Sequence, residues 1–170
     1  MVPKTHARLH HRRRSIAHPD DLWQAARTIR LKDAPRLNRL IRWRLGRHAP
    51  AADTTFEDFF RSGVFTLLEE GERYSVSGVA GRSWSPSGDY QRFETASDYM
   101  DYDGRGIAKV VLATSVSAHA EGSQIDTEAR IWLSDRRAQL IFRPFWAVVH
   151  PFARFIGSEG LAAAVRHAES

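Results

Sequence analysis

The stretch Ser134-Asp-Arg-Arg-Ala-Gln-Leu-Ile-Phe-Arg-Pro-Phe-Trp-Ala-Val-Val-His-Pro-Phe-Ala-Arg-Phe-Ile-Gly157 decides how this chain folds. On a helical wheel at about 100° per residue, Ile141, Phe145, Val148, Phe152 and Phe155 fall on one stripe. Phe142, Trp146, Val149 and Ile156 lie beside that stripe, and Arg136, Gln139, Arg143, His150 and Arg154 share a narrow opposite strip. A helix apolar over more than half its circumference must be nearly wrapped by other structure, and a curved sheet is the wrapping expected here. Ser134 and Asp135 are placed to cap it. Pro144 and Pro151 each delete an internal hydrogen bond, at about 3 kcal/mol apiece if uncompensated, and are expected to bend it around its sheet. Residues 158–168 read as a frayed helical continuation.

The strands that feed this helix carry the second signal. Residues 107–119 and 123–133 alternate in polarity, and a two-residue turn at Glu121-Gly122 sets a register. Ala118 then opposes Ile125, Val116 opposes Thr127, Thr114 opposes Ala129, and Leu112 opposes Ile131. That face is apolar or nearly so, and Thr127, Ala129 and Ile131 are expected against the helix. The other face pairs Ser117 with Asp126 and Ser115 with Glu128, and sets Ala113 by Arg130, so it is expected to be wet. A one-residue error would instead turn Glu128 and Arg130 inward, where they would be the best polar anchors in the chain.

Upstream, residues 7–17 read as an edge strand whose basic residues discourage edge-to-edge pairing. His18-Pro19-Asp20 opens a helix with Leu22, Ala26 and Ile29 on its buried stripe. A second helix runs from Asp33, a plausible N-cap followed by Pro35, to Gly46, with Leu37, Leu40, Ile41 and Leu45 inside. Thr54-Thr-Phe-Glu57 fits a capping box opening a short helix with Phe56, Phe59 and Phe60. Residues 64–69 and 73–82 flank an acidic turn as a hairpin, Tyr90 to Glu94 forms another strand, and Ser97 caps a helical turn. The small residues Gly78, Ala113, Ala118 and Ala129 suggest a sheet not packed to capacity. One domain spanning 1–170 is expected, with 1–6 flexible and 158–170 a helical tail.

Composition bounds the chemistry. The chain has 170 residues, 42% hydrophobic and 26% charged, as globular domains do. It has no cysteine, which excludes disulfides, thiol catalysis and thiolate metal sites. Residues 1–47 hold 13 Lys and Arg against Asp20, Asp21 and Asp33, while the rest of the chain is net acidic. The opening residues lack the apolar run of a signal peptide, and arginines break the apolar run of the last helix, so a cytoplasmic location without a membrane span is expected. There is no glycine-rich phosphate loop, no Gly-x-Ser-x-Gly elbow and no His-Glu-x-x-His. His10 and His11 alternate faces on a strand and cannot chelate together. No metal or cofactor is expected.

The order of elements, with Ser15-Ile-Ala-His-Pro-Asp-Asp-Leu-Trp23 at the first strand–helix corner, resembles the START-like (SRPBCC) superfamily and its helix-grip fold. Gly78-Val-Ala-Gly-Arg-Ser-Trp84, Thr127-Glu-Ala-Arg130 and Phe142-Arg-Pro-Phe-Trp146 look like a bacterial branch of it. Ala129 departs from that branch's usual Thr-Glu-Thr-Arg and leaves the inward site smaller and less polar. The resemblance implies an α+β fold, a curved antiparallel sheet around a long C-terminal helix with two short helices after the first strand. It also implies a cavity for lipids, sterols or polyketide-like molecules. Some members are cyclases or oxygenase subunits and others only bind, and no catalytic residue carries over.

Three functional expectations result. A hydrophobic small molecule would be held by Trp84, Phe93, Tyr99, Thr127, Phe145, Trp146, Val149 and Phe152, with Glu128 and Arg130 as possible polar anchors. Alternatively, a cyclase or hydrolase would use Glu128, Arg130 or Tyr99 in that cavity. Thirdly, the basic helix 35–47, through Arg36, Arg39, Arg42 and Trp43, would dock on an anionic lipid or RNA surface.

Overall fold

The computed structural model describes residues 5–170; residues 1–4 and the side chains of Arg44, Phe155 and Ile156 lie outside the described set. The expected burial of Phe155 and Ile156, and most of the segment expected to be flexible, therefore fall outside it. His6 is tied to the sheet, its amide donating to Ile131 O at 2.9 Å and its Nδ1 accepting from Leu133 N at 3.2 Å.

Strand β1 (Ala7–Ser15) leads into helices α1 (Pro19–Thr28), α2 (Pro35–Leu45) and α3 (Phe56–Arg61). Strands β2 (Thr66–Gly71), β3 (Tyr74–Gly81) and β4 (Tyr90–Gln91), helix α4 (Ala96–Asp101), and strands β5 (Ala108–His119) and β6 (Gly122–Leu133) follow, and helix α5 (Arg136–Ala168) ends the chain. The antiparallel sheet runs β1-β6-β5-β3-β2, with β4 paired to β3. Helices α1, α2, α3 and α5 gather on one face. The fold is α+β in the helix-grip arrangement. Among the described residues no helix is long and apolar enough to cross a membrane.

The β5–β6 register differs from the one counted from the sequence. Val116 pairs with Ile125, Thr114 with Thr127, Leu112 with Ala129 and Val110 with Ile131, two residues from the expected pairing. The turn is Ala120-Glu121, because Gly122 already belongs to β6. A side chain at Gly122 (φ +147°) would collide with the carbonyl of Ser15, so the glycine serves the crossing of β1 rather than the turn. A shift by two leaves every side chain on its original face, since the strand period is two. Ile125 and Ile131 are buried on the inner face.

The phase of α5 also departs from expectation. Asp135 accepts from Ala138 N at 2.8 Å and Gly106 N at 2.5 Å, while Ser134 Oγ accepts from Ile107 N at 3.0 Å. These bonds fix the start of the helix against the β5 entry, and Ala138 and Phe142 point inward. Ile141, Val148 and Phe152 are then 40%, 67% and 61% exposed. Ile141, Val148 and Phe152 of the expected stripe face out, while its Phe145 lines a cavity with Phe142, Trp146 and Val149 of the neighbouring one. Nor is the end of α5 a frayed tail. Leu161, Ala163 and Ala164 pack with Leu22, Trp23, Ile29, Val116 and Ile125 in the main core, and Glu169 accepts from Ser15 Oγ at 2.7 Å.

Caps shift by one or two residues as well. Thr55 with Asp58, not Thr54 with Glu57, caps α3, and Thr95 with Asp98 caps α4. Asp33 accepts from Arg30 N at 2.9 Å and leaves Ala34 as the N-cap of α2. A second small core covers the outer face of the sheet, where Tyr99 packs with Ala80, Ile107, Leu68, Phe93, Tyr102 and Val111. Gly78 makes room for it, since a Cβ there would stand 2.7 Å from Tyr99 Cζ. Gly78 therefore reflects a tightly packed outer face, not a loosely packed inner one.

Candidate functional site

Between the sheet and the helices lie three adjoining cavities of about 290, 250 and 210 Å³. Leu40 of α2 borders all three, Leu37, Phe56 and Phe60 are shared by the first two, and Val79 and Tyr90 by the last two. Three apolar cavities thus adjoin around Leu40. Small residues keep the α5 wall low along the largest cavity: Ala153, Gly157, Gly160 and Ala164 line it. A Cβ at Gly160 would stand 3.0 Å from the Phe56 ring.

The largest cavity has polar features at two places. Its sheet floor carries Ser75, Ser77, Thr114 and Thr127 among Leu67, Leu112 and Ile125. Ser75 pairs with Thr114 and Thr114 with Thr127, so three hydroxyl residues stand in one row across β3, β5 and β6. Thr114 Oγ1 and Thr127 Oγ1 are 3.4 Å apart. The second place is the wall formed by α1 and α3. Arg27 donates to Glu57 through Nε at 3.0 Å and Nη2 at 2.7 Å, and Arg61 pairs with Glu57 at 3.0 Å and also with Glu70. The bidentate bond from Arg27 holds the Glu57 carboxyl below its ordinary range, and Glu57 in turn raises Arg27. Trp23 lines the same cavity, and its indole N–H has no acceptor among the described residues.

Sequence reasoning located part of this. Phe145, Trp146 and Val149 line the smallest cavity together, and Thr127 lies on the floor of the largest. Trp84 packs edge-on against Phe142 at 6.2 Å, outside the cavity linings. Phe152 faces outward. Phe93 and Tyr99 lie on the other side of the sheet, stacked edge-on at 5.4 Å, because α4 crosses the outer face. Tyr99 Oη donates to Val110 O at 3.1 Å, and burial pushes its phenol well up.

Glu128 and Arg130 also belong to the outer face. Glu128 accepts from Arg8 at 2.8 Å and from Arg130, and its neighbour Asp126 from Arg12 at 2.7 Å and His10 at 2.8 Å. Burial raises both carboxyls, but the hydrogen bonds outweigh it and leave them lowered. Glu128, Arg130 and Tyr99, named for an enzyme, therefore do not meet in the cavity. The hydroxyl row and the Arg27–Glu57–Arg61 cluster were not singled out from the sequence. Ser75 and Ser77, alternating on one strand face, signal the row, whereas the capping pattern Thr54–Glu57 competes with a place for Glu57 in the wall. Among the described residues no three His, Asp or Glu side chains are grouped as a metal site requires.

No protein-family model matches the sequence, and no curated protein sequence matches it. Among solved structures, that of Ara h 8.0201 is 13% identical with a TM-score of 0.46, the alignment covering 96% of this chain and 97% of that one. The structure of TTHA0849 from Thermus thermophilus is 10% identical with a TM-score of 0.32, covering 96% and 94%. Neither likeness carries an argument about a ligand or an activity.

Proposed function

We propose that this chain binds an apolar or aromatic small molecule in the space between its sheet and α5. The observation that supports the reading is the set of adjoining apolar cavities around Leu40, the largest of them about 290 Å³ and close to the lower end of ligand-pocket volumes. A thermal-shift screen of fatty acids, sterols and polycyclic aromatics tests it. Ligand at 100 times its Kd stabilises the fold by about 2.7 kcal/mol. Val149→Trp and Ala153→Phe, each placed to fill a compartment, are expected to remove the shift while the protein stays folded. If no compound moves the melting point of the wild type, the reading fails.

A second reading, docking on an anionic lipid surface, is favoured by exposed side chains. Arg36, Arg39, Arg42 and Trp43 of α2 are exposed, as are Ile141, Val148 and Phe152 of α5. Exposed arginines together with exposed large apolar residues suit a bilayer interface better than RNA, which offers no apolar layer. Vesicle co-sedimentation tests it.

A further inference from the structure

We infer that the hydroxyl row on the floor of the largest cavity selects an uncharged ligand bearing hydroxyl or carbonyl oxygens on an apolar frame, and that the cavity discriminates against carboxylates. The inference rests on the binding reading proposed above and deepens it.

The placement of the hydroxyls carries the argument. Ser75, Thr114 and Thr127 face inward in register on three neighbouring strands, and Ser77 stands two residues from Ser75 on the same face. Directly opposed Cβ atoms in an antiparallel sheet are about 4.5–5.5 Å apart, so the row presents oxygens along roughly 10 Å of floor. Ser77 is only 3% exposed. Among the described residues neither the Ser75 nor the Ser77 hydroxyl makes a hydrogen bond, and the Thr114–Thr127 contact at 3.4 Å is long. Ser75, Thr114 and Thr127 are half-buried, so their hydroxyls open on to the cavity within reach of a ligand, while the buried polar atom of this lining that lacks a partner among the described residues is Trp23 Nε1. Hydroxyls with spare hydrogen-bonding capacity on an otherwise apolar floor favour a ligand that carries a matching donor or acceptor.

Charge decides the class of ligand. A carboxylate entering this cavity needs a free cation, and the arginines that line it are committed. Arg27 is held bidentate by Glu57, and Arg61 is shared between Glu57 and Glu70. Two cations and two carboxylates leave the cluster without net charge, so an incoming anion would have to break an existing pair. Without that, it would lose its hydration against an apolar wall. A hydroxyl or carbonyl faces neither cost, because serine and threonine both donate and accept.

The matched probes are naphthalene, 2-naphthol and 2-naphthoate, titrated at pH 7 against the full chain by tryptophan fluorescence and calorimetry. In the wild type, 2-naphthol is expected to bind about tenfold more tightly than naphthalene, as one good hydrogen bond allows, and 2-naphthoate no more tightly than naphthalene. The double variant Ser77→Ala/Thr114→Val keeps the shape of the floor and removes two hydroxyls. It is expected to bring 2-naphthol within about twofold of naphthalene, with naphthalene itself unchanged. Thr114→Ser, which keeps its hydroxyl, is expected to retain the preference, and circular dichroism melts verify that each variant is folded. Equal affinities for naphthalene and 2-naphthol in the wild type, or a preference that survives the double variant, overturn the inference while leaving the binding reading intact. Tightest binding of 2-naphthoate overturns it as well. If none of the three binds the wild type but other apolar compounds do, the selectivity claim fails alone; if nothing binds, both fail.

Discussion

Arg27 reaches from α1 to grip both carboxylate oxygens of Glu57 on α3, with Nε at 3.0 Å and Nη2 at 2.7 Å, and the pair stands in the wall of the largest cavity. The side chains are 38% and 24% exposed, so solvent screens the interaction. Glu57→Gln is expected to destabilise the fold by about 0.5–1 kcal/mol at neutral pH. Because the folded-state carboxyl is lowered from its ordinary 4.5, its contribution is present above that value and is lost as pH falls through the folded-state pKa. Urea melts of wild type and variant are therefore expected to differ by a constant amount from pH 7 to about 5, then to converge in more acid solution. A difference that grows on acidification would contradict the pairing.

His11 and Gly157 give a sign-reversal test. A Cβ at Gly157 would stand 2.7 Å from the His11 ring carbon Cδ2. Helix propensity alone would make Gly157→Ala stabilising by about 1 kcal/mol, but overpacking of this kind costs about 1–3 kcal/mol. The substitution is expected to destabilise the wild type by about 1 kcal/mol and to become neutral or stabilising in a His11→Ala background. His11 also senses acid. Burial, then the positive surroundings of His10, Arg154 and Arg13, hold its imidazole below the ordinary 6.5. Stability contributed above that value is lost as pH falls below it, so His11→Leu is expected to flatten the stability profile there.

The outer core makes a claim about what is not in the cavity. Tyr99→Phe removes the bond to Val110 O and is expected to cost about 0.5–1.5 kcal/mol. Gly78→Ala presses a methyl group into a ring that is 1% exposed, and is expected to cost about 1–3 kcal/mol. Neither is expected to change the melting shift produced by a cavity ligand. A lost shift in Tyr99→Phe would place that phenol in the site after all.

These residues also mark how far the sequence could be read. Which face of β5 and β6 is inward was legible, because alternation survives any even slip; the slip itself was not, since Gly122 reads as a turn glycine until β1 is seen beside it. The phase of α5 was ambiguous because Ile141, Val148 and Phe152 differ by one position from the inward Phe142, Val149 and Ala153. Both stripes are apolar, and the staple from Asp135 to Gly106 that decides between them is a tertiary contact. Thr54–Glu57 and Thr55–Asp58 both fit a capping pattern, and only the use of the second frees Glu57 for the cavity wall. Phe93 and Tyr99 have the same composition as cavity aromatics, so only the path of α4 separates them from the site.

The outward phase of α5 leads to the remaining test. Residues 136–157 contain Arg136, Arg137, Arg143 and Arg154 and no aspartate or glutamate, and residues 35–48 of the α2 region are likewise free of acids and rich in arginine. On α5, Val148 and Phe152 are 67% and 61% exposed. A bilayer surface gains about 1.5–3 kcal/mol from each large apolar side chain fully inserted and about 1 kcal/mol from each arginine near an anionic headgroup layer. Wild-type protein is expected to sediment with phosphatidylserine–phosphatidylcholine vesicles at about 50 mM salt and to be released at high salt, where screening shortens the reach of the arginines to roughly 3 Å near 1 M. Val148→Asp/Phe152→Asp is expected to abolish sedimentation while leaving the melting shift from a cavity ligand in place, since neither side chain lines a cavity. Sedimentation that ignores salt or survives the double variant would argue against this face as the docking surface. Analytical ultracentrifugation supplies the competing outcome: a dimer that dissociates on the same double substitution would mean that a second copy, not a bilayer, covers Val148 and Phe152.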